Sequence, residues 1–493
     1  MPDDFDDGGL FEVDPRERVD PHSLPPKPPV DKTFRMFDPD QGLLLPPSLD
    51  DWLPGEHLAR FIAELVDEHL DLSRIRAVYT EERGGPPYDP RLMVRILLYG
   101  YTIGVRSSRA IETKCVDDVP FRWLAAGAAP DFRAIARFRR RHLSALGHLF
   151  VQALALCQAA GMVRLGRVAL DGTKVRANAS KRKAMSYARM SEKEKILAAE
   201  VSALLAEAER IDKAQDAKFG KNRRGDELPA ELARRETRLA KIREAKAALE
   251  DEARQRARDQ AEQRGKDRGD DEDTAAGKGT AAAEQATPKP KAQRNFTDPD
   301  SKIMRTGDGA FHQCYNAQAV VDEDHQIIVA TDVNTNAADV GNLIPMTEQA
   351  AANTGRIPGQ VLVDAGYCSA SNLAAATDYA AEHGTEFYIA TGRHHRGDPP
   401  VAPRGRIPNT ATEKQRMARK LATTKGRNVY ARRKSIVEPV FGQMHTLQNA
   451  KQLLLRGLDQ ARGEWLLLAA CHNLRKLHAR IGATGLAGLA ASC

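Results

Sequence analysis

Apolar residues recur at helical spacing in the first third of the chain. The first predicted helix carries five of them on one face: Leu58, Phe61, Ile62, Leu65 and Val66. A second periodic stretch begins at Pro90, and three shorter helices follow, the last with Asp131 as its N-cap. This pattern predicts an all-α domain over residues 34–162. Residues 1–33 are rich in Asp and Pro and lack apolar periodicity, which indicates a flexible leader.

Strand-like patterns begin after residue 163. The segment VALDGTKV predicts a buried strand with Asp171 at its carboxyl end. Further strands are expected at residues 315–321, 327–333, 360–363 and 386–390, the first two as a hairpin. The sequence therefore predicts an α/β domain built from residues 163–185 and 295–450. A helical segment follows over residues 451–493, and its Glu464 is expected to be a surface charge.

A long charged region interrupts the predicted α/β domain between its first and second strands. Its first half has apolar residues that step by four and three: Leu197, Val201, Leu204, Ala208 and Ile211. The same seam resumes in the second half with Leu232, Leu239, Ile242 and Leu249. This seam predicts a coiled-coil-like helical arm over residues 186–260, followed by a disordered low-complexity linker over residues 261–294. The same seam is compatible with dimerisation. The break at Gly220–Pro229 favours a hairpin that packs on itself.

Composition narrows the class of protein. The 493 residues include 74 Lys and Arg against 67 Asp and Glu, which gives a formal net charge of +7 and weakly indicates a polyanionic partner. No apolar run is long enough to span a membrane, and the amino terminus does not resemble a signal peptide. The six cysteines are scattered, which argues against a zinc cluster or a disulfide framework. We therefore expect a cytoplasmic globular protein.

Three carboxylates stand out. Asp171 and Asp364 each follow an apolar strand segment, and Glu438 lies on a predicted helix. Acidic residues at the ends of neighbouring strands converge on one edge of a sheet, and a helix packed there can add a third ligand. Such oxygen ligands suit Mg²⁺ or Mn²⁺, and a pair of these ions supports phosphodiester chemistry. Acidic residues that follow strands also commonly form turns, so their position alone does not identify the catalytic acids. Three other aspartates remain candidates for that role: Asp322, Asp332 and Asp339.

Four segments carry a resemblance to a known family: PDFRAIARFRRRH, LDGTKVRANAS, VDAGYCS and YARRKSIVEPVFGQMH. From about Phe34 to Leu477 the chain resembles a DDE transposase of a bacterial insertion sequence, which has a ribonuclease-H-like catalytic domain. Many relatives carry a Tyr, Arg, Glu, Lys signature around the third acid. Here Tyr430 and Arg433 keep the first spacing, Glu438 comes one position late, and His445 stands where relatives carry Lys.

The resemblance implies roles for these residues. Asp171, Asp364 and Glu438 would be the catalytic acids and bind Mg²⁺ or Mn²⁺, in all two ions. Tyr430, Arg433 and His445 would contact DNA, with Lys434 supplying part of the charge that His445 lacks. The activity implied is cleavage at the element's ends and strand transfer to target DNA, with a homodimer holding both ends. A nuclease without strand transfer and a non-catalytic DNA-binding protein remain alternatives.

Basic residues cluster in two places. The helix that follows Asp131 can present Arg133, Arg137, Arg140 and Arg141 to solvent or to DNA, as in a helix-turn-helix-like reader of element ends. A solvated basic face explains the same arginines. The second cluster runs from Lys414 to Lys434 and leads into the helix with Glu438, a position that favours contact with DNA phosphates.

Overall fold

The computed structural model describes residues 48–79, 87–219, 230–268, 271–392 and 405–490. The predicted leader and the first residues of the helical domain lie outside these ranges. The amino-terminal part consists of short helices: α1 (Leu58–Glu64), α2 (Ser73–Arg76), α3 (Pro90–Thr102), α4 (Ser108–Asp117), α5 (Val119–Leu124), α6 (Phe132–Arg141) and α7 (Leu143–Ala159). A π-helical turn, Leu65–His69, extends α1.

The starts of these helices follow local rules. Asp89 caps α3, accepting a hydrogen bond from the Arg91 amide, and Pro90 occupies the first helical position, where its missing N–H costs nothing. Asp131 caps α6 by accepting hydrogen bonds from the amides of Arg133 and Ala134, as predicted. The helical character predicted for this region is therefore confirmed where the chain is described.

The central sheet is mixed. Its strands are β1 (Arg167–Arg176), β4 (Lys302–Arg305), β5 (Phe311–Asp322), β6 (Ile328–Asn334), β7 (Gln360–Val363) and β8 (Glu386–Ile389), and the small β2 (Ala184–Ser186) and β3 (Gln293–Asn295) pair apart from it. β1 lies between β5, which is antiparallel to it, and β7, which is parallel. β8 extends the parallel side, while β4 and β6 both pair with β5. The hairpin predicted from the apolar pattern is that of β5 and β6.

Further helices follow β6 in the chain, and several of them pack against the sheet. They are α11 (Leu343–Thr354), α12 (Ala370–His383), α13 (Glu413–Ala422), α14 (Thr424–Ala431), α15 (Arg433–Leu447), α16 (Leu458–Ile481) and α17 (Leu486–Ala490). α16 packs against α3, α7 and β6, so the amino-terminal helices and the sheet share one apolar core. Its Trp465 is fully buried and donates a hydrogen bond to Thr331 Oγ1 at 2.7 Å. None of the helices in the described ranges combines the length and apolar composition needed to cross a bilayer.

The segment between β1 and β4 forms a helical arm. It consists of α8 (Tyr187–Phe219), α9 (Ala230–Asp267) and α10 (Glu272–Gln285), with β2 and β3 at its base. Leu197 on α8 packs with Leu239, Ile242 and Leu249 on α9 in a second apolar cluster. These seam residues are therefore buried within one chain, which agrees with the hairpin interpretation. The break at residues 220–229 lies outside the described residues.

The structure differs from two of the predictions made from the sequence. The disordered linker predicted over residues 261–294 is wrong, because α9 continues to Asp267 and α10 follows. Ala275 and Gly279 are buried in α10, and a Cβ on Gly279 would lie 2.5 Å from Glu262 Cγ. Small residues thus let α10 pack closely on α9, which the low apolar content conceals.

The prediction that Glu464 is a surface charge is also wrong. It is fully buried in α16, where Arg106 Nη1 lies 3.2 Å from its carboxylate. The other carboxylate oxygen accepts hydrogen bonds from the amides of Leu454 and Leu455 at 2.8 and 2.9 Å. Glu464 therefore links the amino-terminal helices to the segment after α15 instead of contributing surface charge.

Candidate catalytic site

Asp171 and Asp364 stand side by side in the sheet. The parallel pairing of β1 with β7 ends at Leu170 opposite Val363, so the next residue on each strand is an aspartate. Asp364 then caps a short 3₁₀ turn, accepting a hydrogen bond from the Gly366 amide at 2.8 Å. Asp171 lies in the middle of β1, contrary to the prediction, because β1 continues along β5 beyond the end of β7. We call these two residues the acid pair.

Arg433 connects the acid pair to the third predicted acid. It is the first residue of α15 and is 8% exposed. Its Nη1 donates a hydrogen bond to Asp171 Oδ2 at 2.8 Å, and its Nη2 lies 4.0 Å from Glu438 Oε1. The Glu438 side chain is 54% exposed. Arg433 therefore lies between Asp171 and Glu438, with Glu438 at the solvent side.

The electrostatics around Asp171 disfavour its ionisation. Burial raises the pKa of Asp171, the Arg433 guanidinium partly offsets this, and the negative charge of Asp364 raises the pKa further. Burial alone would lower the pKa of Arg433, but Asp171, Tyr430 and Asp364 together outweigh it and the pKa is raised. Two neighbouring carboxylates with one shared cation form a site that a further positive charge would stabilise.

A second polar cluster lies beside the pair. Asp339 Oδ1 accepts hydrogen bonds from three side chains within 3.0 Å: Lys174, Asn316 and Gln318. A Cβ on Gly172 would lie 2.7 Å from the same oxygen, so only glycine fits at that point of β1. Sequence reasoning named Asp339 as a competitor and missed its three donors. The alternation of polar residues in NAQ at 316–318 was the available signal.

The other two competing acids have structural roles. Asp322 is buried at the end of β5, where it accepts hydrogen bonds from the amides of Leu165 and Asp324. Asp332 on β6 forms an ion pair with Arg462 at 3.1 Å. Each carboxylate is therefore already occupied by a local partner.

The donor chemistry of the site fits a hard divalent cation. Asp171, Asp364 and Glu438 offer carboxylate oxygens only, which are the ligands that Mg²⁺ and Mn²⁺ prefer. Within the described ranges, no three His, Cys, Asp or Glu side chains are grouped closely enough to hold a metal ion by themselves. Arg433 contacts both Asp171 and Glu438, so its guanidinium occupies part of the space that an ion would need.

The remaining predicted contacts near α15 differ in their surroundings. Tyr430 is half-buried, and its pKa is raised by burial and by the charge of Asp364, against the influence of Arg433. Lys434 is exposed. His445 is partly buried, with a buried Nε2 that lacks a hydrogen-bond partner, and burial lowers its pKa. His445 is therefore uncharged at neutral pH, unlike the Lys at the corresponding position of relatives.

The predicted DNA-binding arginines of α6 are all exposed: Arg133, Arg137, Arg140 and Arg141. Arg141 is held against the preceding segment, donating to the Val78 carbonyl at 2.9 Å and lying over the Tyr79 ring. Arg139 points the opposite way. It is 6% exposed and donates hydrogen bonds to the Tyr101 hydroxyl and the Arg106 carbonyl. The helix therefore has a buried cationic anchor and an exposed basic face.

Comparison with known protein families gives two matches. Residues 47–141, which span α1–α6, match the family described as Transposase domain (DUF772). Residues 404–478 match the family described as Transposase DDE domain, a range that contains Glu438 but not the acid pair. Comparisons with curated proteins and with solved structures give no match. Matches to a transposase domain and to a transposase DDE domain in one chain support a DDE transposase of an insertion sequence, and transposases act on DNA.

Proposed function

We propose that Asp171, Asp364 and Glu438 form the catalytic centre with which this transposase cuts and joins DNA. The observation that carries the proposal is the register of β1 and β7, which leaves Asp171 and Asp364 as neighbours directly after the last pair. Arg433, bonded to Asp171 and 4.0 Å from Glu438, brings the third acid into the same group. The mixed sheet is compatible with the ribonuclease-H-like fold that the family resemblance implies.

The residues of this centre would have different roles in the reaction. Asp171 and Asp364 offer oxygen ligands from rigid strands, and Glu438 offers one from the more accessible surface of α15. Arg433 orients Asp171 through a charge-assisted hydrogen bond and favours its ionised form against the effect of burial. Bound Mg²⁺ or Mn²⁺, as two ions, would activate a water molecule or a 3′-hydroxyl and stabilise the leaving oxygen. The products would be nicked element ends and then ends joined to target DNA.

DNA would be held by basic and polar groups on both sides of this centre. On α6 these are the exposed arginines Arg133, Arg137, Arg140 and Arg141, and near α15 they are Tyr430, Arg433, Lys434 and His445. Contacts from arginine and lysine to phosphates fix the position of DNA without reading its sequence. His445 would contribute as a neutral hydrogen-bond donor, because its pKa is lowered. Two copies of the chain would hold the two ends, in the bacterial cytoplasm at the nucleoid.

The test is cleavage and joining of labelled duplexes that carry the two outermost ends of the element, in the presence of Mg²⁺. We expect cleaved and joined products from the wild-type protein. Asp364→Asn and Glu438→Gln should abolish both products while leaving DNA binding intact. Asp332→Asn is the matched control, because this acid on β6 is paired with Arg462 outside the centre. Its activity should equal that of the wild-type protein.

The alternatives give different results in the same assay. Cleavage without joined product would favour a nuclease. Binding without any metal-dependent product would favour a non-catalytic DNA-binding protein. Full activity of Asp364→Asn would contradict the proposed centre.

A further inference from the structure

A groove lies at the base of the helical arm, apart from the acid pair. Its volume is about 420 Å³, and it is lined by the 3₁₀ turn before β2, by α9 and by Phe296. Four of the lining side chains are cations: Arg182, Lys183, Arg238 and Lys241. We call this the basic groove. No carboxylate is among its lining residues in the described chain.

The four cations are exposed and carry no ion pair with any acid in the described ranges. Two acids of the surrounding arm are paired with cations outside the groove. Glu194 is paired with Arg243 and Lys246 at 3.1 and 3.0 Å. Glu252 is paired with Arg294 and Lys302 at 2.6 and 2.7 Å. The groove lining thus carries charge of one sign in the described chain, and a concave site with one sign of charge attracts polyanions.

The backbone of the groove is fixed in place. The Phe296 amide donates to the Lys183 carbonyl at 3.0 Å, and the Asn295 side chain donates to the Ser180 carbonyl at 2.8 Å. β2 pairs with β3 directly after the basic turn. On the other wall, Ile242 is buried in the seam of the arm, next in sequence to Lys241. Because these elements are anchored, binding of a ligand would need to order the cationic side chains but not the backbone that carries them.

The groove is also close in sequence to the catalytic strand. β1, which carries Asp171, ends at Arg176, and the basic turn begins at Lys181. The Asn178 side chain, between the two, donates to the Leu454 carbonyl at 2.6 Å and fixes this connection to the segment after α15. A phosphodiester backbone that passes the acid pair would therefore have a second, rigidly connected cationic surface.

We propose that the basic groove binds the phosphate backbone of DNA and makes the helical arm a DNA-binding element. This inference rests on the proposed function for its ligand, since it adds a binding surface for the DNA on which the acid pair acts. Lysine and arginine side chains that bind phosphates release counterions, so removing such a side chain weakens the dependence of affinity on salt. The groove should therefore contribute without regard to base sequence.

The experiment measures binding of a fluorescein-labelled DNA duplex of arbitrary sequence by anisotropy at several salt concentrations. The variant is Arg238→Ala/Lys241→Ala, and the matched control is Arg189→Ala/Lys195→Ala, two exposed cations of α8 outside the groove. The groove variant should lower the slope of log affinity against log salt by about 2. The control should keep the wild-type slope. Circular dichroism should show the wild-type helix content for both variants.

The outcomes separate this inference from the proposed function. A wild-type slope in the groove variant would overturn the inference, and so would an equal decrease in the control, which would attribute binding to the charge of the whole arm. Cleavage of end DNA is measured on the same samples. A groove effect with no cleavage by the wild-type protein would support the inference and contradict the proposed function. Cleavage by the wild-type protein with no effect of the groove variant would support the proposed function and overturn the inference.

Discussion

Arg433 is the side chain on which the geometry of the acid pair depends. It is nearly buried, its charge is balanced by Asp171, and it is the residue through which Glu438 approaches the other two acids. The family resemblance assigns Arg433 to DNA. Its position on Asp171 gives it a positioning role at the acids as well, because its Nη1 donates a hydrogen bond to the Asp171 carboxylate at 2.8 Å.

Replacing Arg433 with Ala should therefore reduce cleavage more than it reduces binding. A charge-assisted hydrogen bond is worth about 1.5–3 kcal/mol, which corresponds to a decrease of roughly tenfold to a hundredfold in the cleavage rate. Single-turnover cleavage at saturating protein measures this rate. The control is Arg432→Ala, because the neighbouring Arg432 pairs with Glu323 at the surface. An unchanged rate for Arg433→Ala would show that Asp171 needs no such partner.

His472 makes stability depend on pH. It is completely buried in α16, its Nε2 is 3.0 Å from the Gln326 carbonyl, and burial lowers its pKa to about 3. The folded pKa thus lies below the unfolded value of about 6.5. The stabilisation from neutral His472 is present above pH 6.5 and is lost as the pH falls toward 3.

At pH 5 this loss should be about 2 kcal/mol in the free energy of unfolding. His472→Gln can keep the hydrogen bond to Gln326 but does not titrate, so the difference between pH 7 and pH 5 should shrink by that amount. Urea unfolding at the two pH values measures it. His383→Gln, at an exposed histidine of α12, is the control and should leave the difference unchanged. An equal pH dependence in His472→Gln and the wild-type protein would contradict the assignment.

The helical arm is the element in which the structure predicted from the sequence and the observed structure differ most. Its heptad seam was readable because Leu197, Leu239, Ile242 and Leu249 repeat at regular spacing. α10 was not readable, because its buried positions are Ala275 and Gly279, and small residues carry little hydrophobic signal. Its stability comes from close packing on α9, which periodicity does not reveal.

Two glycines of α10 give a matched test of this packing. A Cβ on Gly277 would meet no atom within 4 Å, whereas one on Gly279 would lie 2.5 Å from Glu262 Cγ. Gly277→Ala should stabilise the helix by about 0.5–1 kcal/mol, the usual gain from replacing a helical glycine. Gly279→Ala should lose that gain to the clash. Hydrogen exchange of α10 amides compares the two, and equal protection in both variants would contradict close packing on α9.

At the acid pair, too, one part of the geometry could be predicted from the sequence and another part could not. The apolar segments before Asp171 and Asp364 predicted two strand ends, and the structure brings these residues together. That Asp171 lies within its strand depends on the length of β5, an antiparallel partner that begins 140 residues later in the chain, at Phe311. Arg433 was chosen from the family signature, and its bond to Asp171 spans 262 positions. Contacts of this range cannot be derived from local pattern.

Across the whole molecule, a buried polar network joins the amino-terminal helices to the part that carries the site. Arg106 contacts Glu464 and donates to the Gln452 carbonyl, and Arg139 donates to the Tyr101 hydroxyl. These links run from α3 and α6, which carries the exposed basic face, to α16 and the segment after α15. The exposed arginines of α6 are therefore fixed relative to the acid pair.

Removing the shared carboxylate should destabilise the molecule strongly. Glu464→Ala leaves the buried Arg106 without a counter-charge, which costs about 3–5 kcal/mol. Denaturant unfolding measures this loss. Asp459→Ala removes an acid from the first turn of the same helix and should cost no more than about 1 kcal/mol. Similar losses in the two variants would show that the network does not stabilise the fold.

A change of metal specificity would show whether the acid pair and Glu438 bind the metal ions of the cleavage reaction. Asp364→Cys replaces a hard oxygen ligand with sulfur, which Mn²⁺ accepts more readily than Mg²⁺. End cleavage by this variant is measured with each ion. We expect no product with Mg²⁺ and restored product with Mn²⁺. Undiminished cleavage with Mg²⁺ would show that Asp364 is not a metal ligand and would contradict the proposed catalytic centre.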